Sequence, residues 1–238
     1  MKTPQVLAPD TGTYKLQRAL LIYHSPRGGH YVSAHEVDIN NGQLLAGHAA
    51  KTSDLRELAN SIITRTAVEG WISPSMLYLS ADMIIWHRPA SIETLFFNTK
   101  DRGPLSGVRS IRAPQPALVF AAFRNGWYVW ALAGADRPGP DTPLMNAPYW
   151  NVWKSGSICT GNVQLPKRLG PETTAKFEDA FFGSNFTHPN HTAITKTDTA
   201  ALWADLHDGA ETFPADELIP TGKTLGQAIA KLIKGDPL

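Results

Sequence analysis

The sequence predicts an α+β fold. A helix comes first, then an antiparallel β-meander, a proline-rich flap, a loop that carries a cysteine, and a second helix, with extra strands ahead of this core and extra helices behind it. Three observations predict that order. Apolar residues fall on one helical face in the first half at Leu55, Leu58, Ile62 and Ile63, behind Ser53 as a candidate N-cap. Short apolar runs separated by turn signals follow, with Asn125-Gly126 between two of them. Then Pro138, Pro140, Pro143 and Pro148 crowd into the stretch from Gly134 to Asn151, a density that argues against any strand or helix.

Taken in order, the polar start with Pro4, Pro9 and Gly12 reads as frayed. Leu16 to His24 reads as a strand, Pro26-Arg27-Gly28-Gly29 as a turn, and His30 to Ile39 as a second strand. Asn40-Asn41-Gly42 is a hairpin signal with Gln43 to Gly47 as its return. The capped helix should end by Gly70. Strands are expected at Met76 to Leu79, Met83 to Trp86, Ile92 to Phe97, Ala117 to Phe123 and Trp127 to Leu132. The flap carries Met145, Tyr149 and Trp150, with Trp153 just beyond, so it should lie across the sheet with buried aromatics. Helices are expected at Glu172 to Phe182, opened by Pro171, at Thr197 to His207, and at Lys223 to Lys234, with Thr221 or Gly222 opening the last. The expected organisation is an N-terminal β extension over residues 1–50, a core over 51–183 and a C-terminal helical extension over 184–238.

Composition excludes several function classes. The chain is 42% hydrophobic and 18% charged, so it can bury a core. A net charge of +1 gives no field to hold nucleic acid or acidic lipid, and nucleic-acid binding is not expected. A single cysteine leaves no intramolecular disulfide and no cysteine-based zinc site, and no metal or cofactor is expected. No apolar run approaches the roughly 20 residues that span a bilayer, and the start lacks a signal peptide, so a cytoplasmic location is expected. His188-Pro189-Asn190-His191 has no carboxylate or cysteine close by in sequence and reads as a surface loop. Gly222-Lys223-Thr224 lacks the earlier glycine of a phosphate-binding loop, since that position is Glu217.

The lone Cys159 admits two readings. Free cysteine is among the most buried residue types and packs as a small hydrophobe; an exposed thiol beside suitable groups is a nucleophile. Lys154 and Lys167 are near it in sequence and would favour a thiolate. Its surroundings read Ala147-Pro148-Tyr149-Trp150-Asn151-Val152-Trp153-Lys154-Ser155-Gly156-Ser157-Ile158-Cys159-Thr160. This stretch resembles the active-site segment of ubiquitin-conjugating enzymes, in which a proline-rich flap leads to His-Pro-Asn, a turn containing glycine, and the catalytic cysteine. Asn151 precedes Cys159 by eight residues, the family's separation. Tyr149-Trp150 stand where the family has His-Pro, and Thr160 follows the cysteine where leucine is common. More narrowly, most of the chain is similar to the PRTRC system protein B family, a prokaryotic branch of that superfamily.

The resemblance implies a ubiquitin-conjugating-enzyme-like core, covering roughly Lys51 to Gly183. It implies Cys159 as the acyl acceptor and Asn151 as a loop-steadying residue and oxyanion donor, with Tyr149, Trp150, Ser155 and Gly156 shaping the loop. Implied partners are a ThiF-like activating enzyme, a small ubiquitin-like protein and a JAB-type metallopeptidase, in a system carried by plasmids and other mobile elements. A non-catalytic binding module or scaffold on the same fold is the alternative, since a fold does not fix a function.

Overall fold

The computed structural model describes residues 16–26, 28–56, 59, 71–80, 82–100, 102–123, 126–161, 163–207, 209–236 and 238. The chain divides into two compact units, Met1–Ala67 and Val68–Leu238.

The first unit holds a three-stranded antiparallel sheet of β1 (Arg18–His24), β2 (His30–Glu36) and β3 (His48–Ala49), in that order. β1 and β2 form a regular hairpin from Arg18↔Glu36 to His24↔His30, and Arg18 and Glu36 are joined by an ion pair at 2.9 Å. The return arm differs from the sequence expectation. Only Leu44 of the 43–47 stretch bridges back, to Val37, and the paired strand falls at His48–Ala49. The Leu45 N–H reaches Glu36 O at 2.9 Å, and beyond it the His35 imidazole bonds Leu45 O at 3.0 Å and occupies the space where a side chain at Gly47 would stand. Residues 52–56 are helical. Ser53 lies inside this helix and does not cap it; the Asp54 carboxylate accepts the Lys51 N–H at 2.9 Å instead. The rest of the expected helix, with Leu58, Ile62 and Ile63, lies outside the described residues, as does the polar start.

The second unit contains the expected meander. Strands β4 (Met76–Leu79), β5 (Met83–Arg88), β8 (Ala117–Phe123) and β9 (Gly126–Leu132) belong to a six-stranded antiparallel sheet with β10 (Pro143–Met145) and β12 (Pro220–Thr224), ordered β12-β10-β9-β8-β5-β4. β5 continues into β6 (Ser91–Phe97), and β7 (Ser110–Gln115) continues into β8. One unbroken register joins these two long arms, from Met83↔Phe123 to Phe96↔Ser110. The far end of this hairpin forms a second sheet with β11 (Asn185–Phe186), ordered β11-β6-β7.

Four strands of this unit go beyond the sequence expectation: β7, β10, β11 and β12. β7 contains Pro114, which is tolerated because β7 is an edge strand with no partner needing that N–H. β10 (Pro143–Met145) lies inside the proline-rich stretch; its proline is the first strand residue, where a missing donor matters least. β12 (Pro220–Thr224) pairs with β10 and is likewise opened by a proline.

Helix α1 (Thr174–Phe182) follows a 3₁₀ turn at Pro171–Thr173, then come β11 (Asn185–Phe186), α2 (Thr199–His207) and α3 (Leu225–Lys234). The last helix is opened by neither Thr221 nor Gly222, which lie in β12. Thr224 is its N-cap, in a reciprocal capping box with Gln227. Strand β8 is buried on both faces. Leu118, Phe120 and Ala122 point into a core shared with Phe177 and Phe181 of α1 and Trp203 of α2, while Ala117, Val119 and Ala121 face Leu225 and Ala228 of α3. Among the described residues, no helix is long and apolar enough to cross a membrane.

Candidate active site

The flap is held by its aromatic residues. Every residue from Asn146 to Trp150 is buried. The Tyr149 ring stacks between Phe186 and Trp203 and meets Phe181 edge-on at 5.0 Å. Its hydroxyl donates to Gln115 Oε1 at 2.8 Å, and Gln115 in turn donates to Ala113 O. Burial pushes the Tyr149 phenol well above its ordinary pKa, outweighing the nearby positive charge of Arg88. The Trp203 indole donates to Pro148 O at 2.7 Å, and Trp150 packs edge-on against Phe97. Tyr149 therefore serves as a core anchor for the loop. Trp153 differs from the flap aromatics and is half exposed.

The segment from Val152 to Ile158 folds back on itself and is pinned to β9. Val152 and Ile158 bridge, Gly156 N donates to Trp153 O to close the turn, and the backbone bonds Val129 N→Gly156 O (2.9 Å) and Ile158 N→Trp127 O (3.0 Å) fix the turn to the strand. Gly156 has φ +88°, and a Cβ there would lie inside the Trp130 indole, whose N–H donates to Ser155 O. Two independent constraints thus require glycine.

Asn151 joins this loop to the chain beyond α1. It sits at φ +61°, the left-handed region that asparagine tolerates better than most residues. Its carbonyl accepts the Cys159 N–H at 2.8 Å, and its own N–H donates to His188 O at 3.3 Å. Its carboxamide donates to Asn185 O at 2.7 Å and accepts from both the backbone N–H and the hydroxyl of Thr187, at 3.3 and 3.0 Å.

Cys159 is exposed, so it is not the buried hydrophobe that the sequence left open. It lines a polar groove of about 590 Å³. Thr160 and Asn151 line the groove beside it, Asp179 and Gly183 come from α1 and its end, and Asn185, Thr187 and His188 come from β11 and the chain after it. Lys154 and Lys167 are not among its walls. Helix α1 is tied to the sheet by Glu178, which accepts from the Trp86 indole at 2.7 Å and pairs with Arg88.

The structure therefore brings Cys159 and Asn151 together, with Ser155 and Gly156 in the turn behind them and Tyr149 and Trp150 buried beneath. The wall formed by Thr187 and His188 was missed from sequence. From sequence the His188-Pro189-Asn190-His191 stretch reads only as a surface loop, and the parallel pairing of β11 with β6 is what shows its return to Asn151.

No curated protein and no solved structure matches the chain. A family model, prokaryotic E2 family D, matches residues 54–221, which takes in β4 to β11, the flap, the cysteine loop, α1 and α2, and leaves out the β1-β2-β3 sheet. On that match the chain belongs to prokaryotic E2 family D, whose E2-like character agrees with its mixed α+β fold.

Proposed function

We propose that the protein carries a ubiquitin-like protein as a thioester on Cys159, accepting it from a ThiF-like activating enzyme. The observation that carries this reading is an exposed cysteine, on a loop that backbone hydrogen bonds hold to β9, at the edge of a polar groove in a chain of an E2-like family. The Cys159 thiolate attacks the thioester carbonyl on the activating enzyme, the new C–S bond forms, and the enzyme's cysteine leaves. Asn151 already gives one carboxamide N–H to Asn185 O; its second is the candidate donor to the oxyanion. A donor aimed at developing charge is worth roughly 3–4 kcal/mol when the site excludes water. A JAB-type metallopeptidase and a mobile-element setting complete the proposed system.

The clamped Asn151 carboxamide favours a second reading, a binding module in which Asn151 only holds the loop. One assay separates the two. The protein is mixed with the activating enzyme, the ubiquitin-like protein and ATP, and run on a gel with and without reductant. A reductant-sensitive adduct supports the carrier; no adduct from an activating enzyme that is itself charged leaves the binding module.

A further inference from the structure

His188 has a fixed tautomer. The Asn151 carboxamide nitrogen donates to Asn185 O, so its Oδ1 can only accept, and the Thr187 hydroxyl gives it its single proton at 3.0 Å. That hydroxyl has no second proton for His188 Nδ1, 2.9 Å away, so Nδ1 carries a hydrogen and donates to Thr187 Oγ1. In the neutral ring the lone pair is then on Nε2, for which no partner is present among the described residues. His188 is exposed, lines the same groove as Cys159, and shares Asn151 with it as backbone partner. A neutral imidazole oriented by a second group is the arrangement of a general base.

We propose that His188 Nε2 is the base that readies an amine to take the acyl group from Cys159. This rests on Cys159 carrying an acyl group. The incoming alkylammonium gives one proton to Nε2. The freed lone pair forms the C–N bond to the thioester carbon, the C–S electron pair leaves on Cys159 Sγ, and the second nitrogen proton ends on that sulfur. Thioester and ammonium become amide, thiol and a protonated imidazole. Thr187 is a positioning residue that keeps the lone pair on Nε2.

The test needs no partner protein. Cys159, the chain's one cysteine, is acetylated with p-nitrophenyl acetate, and loss of the acetyl group from its peptide is followed by mass spectrometry at pH 7. Free lysine, protonated at that pH, and hydroxylamine, already neutral, are compared as nucleophiles. The expected result is that His188→Ala and His188→Gln slow transfer to lysine by about 10²-fold, the low end for a general base, and leave transfer to hydroxylamine within about twofold. Added imidazole restores the alanine variant, and Thr187→Val shows the same lysine-specific loss. Unchanged lysine rates in both His188 variants, or an equal fall with both nucleophiles, overturn the assignment. Lysine-specific loss here with no charging by an activating enzyme would count against the carrier reading alone.

Discussion

Replacing Tyr149 by phenylalanine tests whether the flap is fixed by a buried polar contact as well as by packing. The ring keeps its stacking on Phe186 and Trp203, so only the hydroxyl is lost. That loss leaves Gln115 Oε1 without its donor in a residue only 1% exposed. A buried acceptor stripped of its partner costs about 1–3 kcal/mol. At about 3 °C per kcal/mol for a chain of this size, the midpoint of thermal unfolding falls by roughly 3–9 °C. The pH dependence supplies a second readout. Burial raises the folded-state pKa of Tyr149 above that of the unfolded phenol. The stabilisation is complete below the unfolded pKa of about 10 and falls as pH rises from there toward the folded value. Wild type should therefore lose stability above pH 10 more steeply than the Tyr149→Phe variant. Denaturant titrations at pH 7 and pH 10.5 measure both effects. An unchanged midpoint at pH 7, with parallel alkaline slopes, would refute the anchoring role of the hydroxyl.

Two further outcomes follow from the same geometry. Gly156→Ala must adopt a left-handed backbone, costing about 1–2 kcal/mol, and displace the Trp130 indole as well; the amides of Val129 and Ile158 should then exchange faster with solvent, and unchanged protection would show that the turn does not hold the loop to β9. His87 is buried, and burial together with the Arg137 charge lowers its pKa. Its contribution is present above the unfolded value of about 6.5 and is lost as pH falls through the depressed folded value, so His87→Gln should flatten the decline in stability on the acid side of pH 6.5, and identical acid-side curves would count against that effect.

The helix–meander–flap–cysteine–helix order was legible because each signal is local. Continuous apolar runs on either side of Asn125-Gly126 mark β8 and β9, and Phe177 and Phe181 mark α1 at helical spacing. What escaped depends on position within a sheet. Pro114 in β7 and Pro143 in β10 look like strand breakers until one strand is known to be an edge and the other to begin at its proline. The start of α3 differs for a related reason: Thr221 or Gly222 reads as the residue that opens the helix, although both run along β10 in β12 and leave Thr224 to cap. At the site, the Asn151-to-Cys159 spacing and Gly156 lie in one continuous stretch. Thr187 and His188 reach Asn151 only through the β11–β6 pairing, and no spacing along the chain encodes that.

The most direct measurement of the central claim is to map the covalent bond formed during charging. Wild type, Cys159→Ser and Cys159→Ala are incubated in parallel with a charged activating enzyme, and the adduct peptide is sequenced by mass spectrometry. The account requires a reductant-labile adduct on Cys159 in wild type, a reductant-resistant ester at the same position in Cys159→Ser, and none in Cys159→Ala. A wild type that forms no adduct, or an adduct that persists in Cys159→Ala, would contradict it.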